Sequence, residues 1–205
     1  MIVTLDGRRL PLEFADSETL RTILDRVKAE HLANRLVVEV SLNGARLVDQ
    51  ALSDRLDEPA GAFDQIDLGS DDVASLIQSA LATMAEHLSL AGDAHRDVAD
   101  SLQSGRTSEA VSMFSQVLAI WQNCRTTIVE CSRLSGQDWT SKEFDGRTLA
   151  AHLNELTARL REIRDAFEAR DYVLLGDLLQ YEMPEVCMTW ASIFRRLAED
   201  TAVHV

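Results

Sequence analysis

The sequence predicts an α+β protein in which a small N-terminal domain, residues 1–70, precedes an antiparallel four-helix bundle, residues 71–205. Short segments with alternating apolar residues, separated by hairpin turns, are confined to the first domain. Four long runs with apolar residues at helical spacing follow, separated by short connections. Such helices pack as an up-down bundle, because each contributes one apolar stripe to a shared core. No segment after Ser70 has the pattern of a strand.

The N-terminal domain is predicted to begin with a β-hairpin. Residues 1–5 alternate between apolar and polar side chains, residues 10–14 do so again, and Asp6-Gly7 between them is a tight-turn signal. Asp16-Ser17 then predicts the start of a helix, because such side chains cap free amide groups. Apolar residues at helical spacing carry this helix to about Asn34.

A second hairpin and a closing strand are predicted to complete the domain. Residues 36–42 are rich in β-branched side chains, and Asn43-Gly44 is the strongest hairpin signal in the chain. Residues 45–48 return as a short strand. Residues 51–56 fit one helical turn, and residues 63–68 provide a strand that closes the sheet.

This order of hairpin, helix, hairpin, short turn and last strand resembles the ubiquitin-like β-grasp family, as does the helix opening DSETLRTILDRV. The resemblance covers about one third of the chain and concerns the fold alone. Modifiers and sulfur carriers of that family end in a free Gly-Gly tail, whereas here the last strand ends in Leu68-Gly69-Ser70 and continues into a helix. Conjugation and sulfur-carrier chemistry are therefore not expected. The resemblance implies a sheet face that binds a partner.

Four long helices are predicted for the second domain. Ser70-Asp71-Asp72 caps the first, and its acids suit the positive end of the helix dipole. The second follows a break at residues 105–108 and ends at Ser135-Gly136, the third covers residues 149–167, and the fourth is the run Asp171 to Asp200. The apolar stripe of the second helix steps by four and three residues: Ala110, Phe114, Val117, Trp121, Cys124, Ile128 and Cys131.

The charge and the cysteines limit the classes of partner and of site. The net charge is −14, and an acidic surface repels phosphate groups, so neither nucleic acid nor an anionic membrane is an expected partner. The N-terminus lacks the pattern of a signal peptide, and no run of about 18 apolar residues could span a membrane. Three cysteines without a CxxC pair favour neither a disulfide framework nor a structural zinc site. We therefore expect a cytoplasmic protein with reduced thiols.

The fourth predicted helix carries the first candidate site. Glu182 falls on its apolar stripe, where the carboxylate is either an acid at the rim of the bundle or a desolvated group with a raised pKa. Pro184 lacks an amide proton and its ring collides with the carbonyl of Gln180, so we expect a kink beside Tyr181. His95, on the stripe of the first helix, is the other polar group that could face a pocket inside the bundle, although a lone histidine on such a stripe is more often a core residue.

The remaining candidates indicate packing more than chemistry. Cys124 and Cys131 lie on one apolar stripe and are expected in the core, which leaves Cys187 as the most reactive thiol of the three. Trp139 lies in the connection after the second helix, where it either packs over the end of the bundle or anchors a partner. The Glu-x-x-His pairs of di-iron bundles, the phosphate-binding glycine loops and the G-x-S-x-G motif are all missing from the sequence. No catalytic residue, metal or cofactor is predicted.

Three functional hypotheses follow from these observations. The first is a non-enzymatic scaffold or adaptor that binds a protein partner. This architecture also allows a homodimer to form through helix faces. The second is a small-ligand sensor or an enzyme with a pocket inside the bundle near Pro184, whose polar groups are Tyr181, Glu182 and His95. The third is an acidic helical chaperone of the secretion or flagellar type. Because no catalytic constellation is present, the first hypothesis is preferred.

Overall fold

The computed structural model of the chain describes residues 1–15 and 17–202. Clustering of contacts divides the chain into a first unit, Met1–Leu76, and a second unit that begins at Ile77. The first unit contains a small sheet and the second consists mainly of helices, so the α+β class is confirmed. Within the described residues, no helix is both long enough and apolar enough to cross a membrane.

The first unit is built on a five-stranded mixed sheet. Its strands are β1 (Ile2–Leu5), β2 (Arg8–Arg9), β3 (Arg35–Leu42), β4 (Ala45–Leu47) and β5 (Gln65–Asp72). The spatial order is β2-β1-β5-β3-β4, and only the pairing of β1 with β5 is parallel. Both predicted hairpin turns form, with positive φ at Asp6, Gly7, Asn43 and Gly44. A two-residue turn of this kind needs positive φ at both positions, which Asp-Gly and Asn-Gly tolerate.

The second strand is shorter than predicted. Instead of residues 10–14, only Arg8–Arg9 pairs with β1, and the amide of Leu10 adds one last hydrogen bond to Val3 O at 2.9 Å. Pro11 has no amide proton, so the ladder cannot continue through it. Leu12 and Phe14 pack against the core of the first unit as partly buried side chains. The alternating pattern therefore reflects burial on one side without strand pairing.

Helix α1 (Leu20–His31) covers one face of the sheet through Leu20, Ile23 and Val27. Its N-cap is Thr19, whose Oγ1 accepts a hydrogen bond from the amide of Thr22 at 3.3 Å. The sequence placed the cap at Asp16-Ser17, and Asp16 lies outside the described residues. The connection to β5 contains α2 (Asp49–Ser53) and a short 3₁₀ turn, Ala60–Ala62.

Strand β5 extends further than residues 63–68. It stays paired with β3 as far as Arg35 opposite Asp72, so the helix that follows begins only at Val73. Of the predicted cap residues, Asp72 performs that role, since its carboxylate accepts a hydrogen bond from the amide of Ser75 at 3.1 Å. The last residue of the strand is therefore also the residue that caps the following helix.

The helices of the second unit largely follow the predicted runs. They are α3 (Val73–Gln103), α4 (Thr107–Ser135), α5 (Leu149–Glu168), α6 (Tyr172–Asp177) and α7 (Met183–Ala202). All seven predicted stripe residues of α4 are buried, so that prediction is confirmed. Gly136 ends α4 in the left-handed conformation, with φ of 65°, which glycine adopts without steric strain.

A short hairpin between α4 and α5 contradicts the expectation that no strand follows Ser70. Strands β6 (Glu143–Phe144) and β7 (Arg147–Thr148) pair around Asp145-Gly146, where both residues have positive φ. Two-residue strands are too short to show an alternating pattern, so only the Asp-Gly pair could have indicated them. The hairpin ends directly in α5, whose N-cap Thr148 accepts a hydrogen bond from the amide of Ala151.

Candidate functional site

The predicted fourth helix is interrupted by a π-helical turn, Leu178–Glu182, immediately before Met183 and Pro184. Pro184 cannot donate to a carbonyl one turn earlier, and its ring would collide with the carbonyl of Gln180 in a regular α-helix. A π turn contains one extra residue and widens the backbone, which accommodates the proline. The distortion expected at Pro184 is therefore present as a π turn on its N-terminal side.

Pro184 itself is buried against α3. A Cβ atom added to Gly92 would lie 3.5 Å from both Cα and Cβ of Pro184, so the backbone of α3 and the proline ring are in close contact. This is ordinary contact distance, so an alanine would also fit here, whereas a longer side chain would collide with Pro184. Pro184 is consequently a packing residue, and the predicted internal pocket does not lie between it and Gly92.

Two substitutions at Gly92 test this contact. Gly92→Ala is expected to raise the free energy of unfolding by up to about 1 kcal/mol, because 3.5 Å is ordinary contact distance and alanine is the better helix former. Gly92→Leu is expected to lower it by about 1–3 kcal/mol through overpacking against Pro184. Urea denaturation of both variants provides the measurement. The control is Ala82→Leu at an exposed position of α3, and a Gly92→Leu variant as stable as that control would contradict the contact.

His95 is fully buried in the second unit, and it lines neither of the two grooves described below. Its Nε2 accepts a hydrogen bond from Trp121 Nε1 at 3.1 Å, and its Nδ1 lies 2.6 Å from the carbonyl oxygen of Ala91. An indole N–H can only donate, so Nε2 carries no proton and Nδ1–H donates to Ala91. Burial lowers the pKa of His95, against a smaller raising effect of the Ala91 hydrogen bond, and the ring stays neutral. The hypothesis that His95 is a polar group of a ligand pocket is therefore corrected to a structural role.

The three thiols are unreactive because they are buried, as His95 is. Cys187 Sγ lies 3.7 Å from His95 Nδ1, and burial raises the pKa of the Cys187 thiol to about 12. Burial likewise raises the pKa of Cys124 to about 12 and that of Cys131 to about 11. Reactivity requires a thiolate, which none of these residues forms near neutral pH. Cys187 was expected to be the likeliest of the three to react, but its burial raises its pKa as far as that of Cys124.

Trp139 is only 2% exposed, so it is a packing residue, and the hypothesis that it anchors a partner is not supported. It precedes the β6–β7 hairpin, and its carbonyl accepts a hydrogen bond from the amide of Lys142 at 3.0 Å. A buried indole offers no surface on which a partner could dock.

Tyr181 and Glu182 do lie together, in an open groove between α5 and α7 with a volume of about 360 Å³. We call it the α5–α7 groove. Tyr181 is 68% exposed, and Glu182 lies at the rim with Oε2 2.7 Å from Arg159 Nη1, an ion pair without the alignment of a hydrogen bond. His152 and Trp190, both almost completely buried, also line the groove. The predicted pair thus marks a surface site, not an internal one.

A second groove lies between α4 and α5 and was missed by sequence reasoning. We call it the α4–α5 groove. Its volume is about 630 Å³, and its lining includes the exposed apolar residues Leu118 and Val129. The charged lining residues are Arg125, Arg161 and Arg164. The signal was present in α4, where Leu118 and Val129 each follow a residue of the buried stripe and widen it.

No group of three His, Cys, Asp or Glu side chains in residues 1–15 and 17–202 is arranged to hold a metal ion.

Comparison with known proteins relates the chain to a protein family and to an individual protein. The model of a family described as a domain of unknown function (DUF8042) matches residues 79–193, more than half of the chain, and this region contains both grooves. A protein of Treponema pallidum (strain Nichols), described as an uncharacterized protein, is 24% identical over 194 residues, which cover 91% of this chain and 92% of that protein. No solved structure shows a significant match.

Proposed function

We propose that this chain, which belongs to the DUF8042 family, is a non-enzymatic adaptor that binds an acidic amphipathic helix of a protein partner in the α4–α5 groove. The single observation that carries the proposal is that groove, in which exposed apolar side chains lie beside three arginines and no acidic residue. An apolar channel between two helices is the usual receptor for the apolar face of a third helix.

The proposed architecture has two modules. For the first unit we propose a ubiquitin-like β-grasp fold, supported by the strand order β2-β1-β5-β3-β4 and by the parallel pairing of β1 with β5. For the second unit we propose an antiparallel four-helix bundle, in which α6, the π turn and α7 together form the fourth member. The connection of three residues between α3 and α4 supports an antiparallel arrangement of these two helices.

Exposed apolar side chains support docking at the α4–α5 groove. Val129 is 53% exposed and Leu118 is 36% exposed, although their neighbours in the stripe, Ile128 and Val117, are buried. Leu153 and Leu160 of α5 line the opposite side. Burying such side chains under a partner helix removes apolar surface from water, at roughly 25 cal/mol per Å².

The charges of the α4–α5 groove select the partner. The protein has a net charge of −14, yet no acidic residue is among the residues that line this groove. Within the described part of the chain, Arg125 and Arg161 form no ion pair, while Arg164 pairs with Asp165 at 2.6 Å and with Glu168 at 4.0 Å. At physiological salt, charges beyond about 8 Å are largely screened, so the local arginines dominate docking. They favour a partner helix with glutamates beside its apolar face.

The buried polar groups support binding over catalysis. His95 is committed on both ring nitrogens, and burial keeps all three thiols protonated. A general base or nucleophile must present a free, suitably charged atom to a substrate. These groups accordingly contribute to packing, and the function lies at the protein surface.

The proposal predicts selective binding of an acidic helical peptide. The probe is a synthetic 21-residue peptide, chosen as three heptads, with leucine at a and d and glutamate at the flanking positions. Fluorescence anisotropy is expected to show saturable binding that is at least ~10-fold tighter than that of the same peptide with lysine in place of glutamate. Val129→Glu and Arg161→Glu are each expected to weaken binding at least ~5-fold, because they place an acid in the groove.

Val173→Glu is the matched control, since Val173 is 78% exposed on α6 and does not line the groove. It should bind the acidic peptide as the wild type does. Equal binding of the lysine peptide would contradict the proposal, as would equal weakening by Val173→Glu. Sedimentation velocity provides a second check: a dimer that Val129→Glu dissociates would make a second copy the occupant and would overturn the proposed partner.

A further inference from the structure

We propose that the α5–α7 groove is a binding site for a small amino alcohol, a molecule that carries an ammonium group and a hydroxyl group. This site is distinct from the α4–α5 groove, and the inference does not rest on the proposed adaptor function. Four features of the groove carry it: two buried rings whose polar atoms lack a partner in the described residues, one carboxylate that lacks an ion pair there, an exposed aromatic ring and a suitable volume.

The two buried rings at the groove provide an acceptor and a donor. His152 is 6% exposed and its Nε2 donates to the carbonyl oxygen of Phe144 at 3.1 Å, so its Nδ1 carries a lone pair. Trp190 is 2% exposed, and its Nε1–H can only donate. Neither atom has a hydrogen-bond partner within residues 1–15 and 17–202, and neither is sealed from solvent.

The geometry of these rings suits a hydroxyl group. The His152 and Trp190 ring centroids are 6.5 Å apart with an interplanar angle of 76°, an edge-to-face arrangement. A hydroxyl group both accepts a hydrogen bond and donates one, so its chemistry matches the donor Trp190 Nε1–H and the acceptor His152 Nδ1. Both ring atoms reach solvent and lack a partner in the described part of the chain, so each is available to a bound hydroxyl group.

The charges of the groove favour a cation. Its lining contains the carboxylates of Glu155, Glu182 and Glu185 against the guanidinium of Arg159. Glu155 pairs with Arg147 at 2.7 Å, and Glu182 pairs with Arg159 at 2.7 Å. Glu185 has no ion-pair partner in the described part of the chain, so it is the carboxylate that remains to bind an ammonium group.

Tyr181 and the size of the groove complete the site. The Tyr181 ring is exposed and lines the groove, and the face of an aromatic ring attracts a cation. A volume of about 360 Å³ is at the lower end of the range for small-molecule sites, so the ligand has few heavy atoms. The π turn places Tyr181 and Glu182 beside this groove, and π turns occur frequently at functional sites.

A matched set of compounds tests the site on the full chain. The probes are 3-amino-1-propanol, propylamine without the hydroxyl, 1,3-propanediol without the ammonium, and 3-hydroxypropanoate with the opposite charge. Binding is followed by the indole N–H signal of Trp190 in ¹⁵N–¹H NMR spectra, assigned among the three tryptophans. We expect a saturable shift of that signal with 3-amino-1-propanol, with affinity at least ~10-fold greater than for the diol, and no saturable shift with 3-hydroxypropanoate.

Glu185→Gln is expected to weaken binding of the amino alcohol about 10-fold or more, because it removes the counter-ion and leaves the exposed position on α7 otherwise unchanged. Glu199→Gln, exposed on the same helix outside the groove, is the control and should bind as the wild type does. Equal affinities for the amino alcohol and the diol would overturn the proposal. It would also be overturned if no compound shifted the Trp190 signal, or if Glu185→Gln bound with unchanged affinity.

Discussion

Replacing His95 with alanine is expected to lower the free energy of unfolding by about 3–5 kcal/mol at neutral pH. The change removes the acceptor of the Trp121 indole N–H and leaves a cavity at a fully buried position. His95→Leu refills much of the volume without restoring the acceptor, so its loss should fall to about 1–3 kcal/mol, the desolvation penalty of one unsatisfied donor. Urea denaturation measures the stability of both variants. An equal loss in the two would contradict the division of the effect into a cavity and an unsatisfied donor.

The same histidine predicts a pH dependence with a definite sign. Burial holds the pKa of His95 below its ordinary value of 6.5 in the folded protein, whereas the unfolded chain titrates near that value. Below about pH 6.5 the unfolded state therefore binds a proton that the folded state does not, and stability falls as the pH falls towards the folded pKa. Above that value the contribution is constant.

His95→Leu serves as the reference for this titration, because it lacks the group. Urea denaturation at pH 7.5 and pH 5 is expected to show a larger loss of stability in the wild type than in His95→Leu. Identical losses would mean that the ring is not held neutral by burial.

Truncation of Phe194 is expected to have an effect of similar size, lowering the free energy of unfolding by about 3–5 kcal/mol in Phe194→Ala. Its side chain is fully buried, and its ring centroid lies 6.3 Å from that of Trp190. The loss combines the favourable burial of the ring, which the variant no longer has, with the cost of the cavity that the ring leaves. The matched control is Leu90→Ala on α3, where the side chain is 70% exposed and the expected change is within about 0.5 kcal/mol. Comparable losses in the two variants would contradict the burial of Phe194.

Patterns of local origin could be predicted from the sequence. The turns at Asp6-Gly7 and Asn43-Gly44 form because positive φ at both positions is a property of those residues themselves. The stripe of α4 is buried as predicted because helical spacing alone places its seven members on one face. The π turn has the same local origin, in the proline that follows it.

Patterns that compete with one another led to wrong boundaries. Alternation predicted a strand at residues 10–14, but pairing also needs an amide that Pro11 lacks. The β6–β7 hairpin was overlooked because two residues per strand show no period, although Asp145-Gly146 repeats the turn signal at Asp6-Gly7. Asp-Gly pairs therefore deserve the same weight wherever they occur.

The candidate site could be predicted only in part. Tyr181 and Glu182 line the α5–α7 groove, but their partners His152 and Trp190 come from different helices, and no sequence pattern shows that the two rings meet. His95 was grouped with them because it lies on the apolar stripe of the first predicted bundle helix, and the structure instead directs its nitrogens to Ala91 and Trp121.

The sequence by itself determined the α+β class, the hairpin turns, the buried stripe of α4 and the helix distortion at Pro184, because each depends on backbone conformation or on spacing within one segment. Only the tertiary structure decided that His95, the thiols and Trp139 are buried. It also decided that all charged lining residues of the α4–α5 groove are arginines, and that Glu185 in the α5–α7 groove has no ion-pair partner among residues 1–15 and 17–202. Those outcomes depend on which side chains from distant segments come into contact, since desolvation and hydrogen bonding between segments arise only when helices pack.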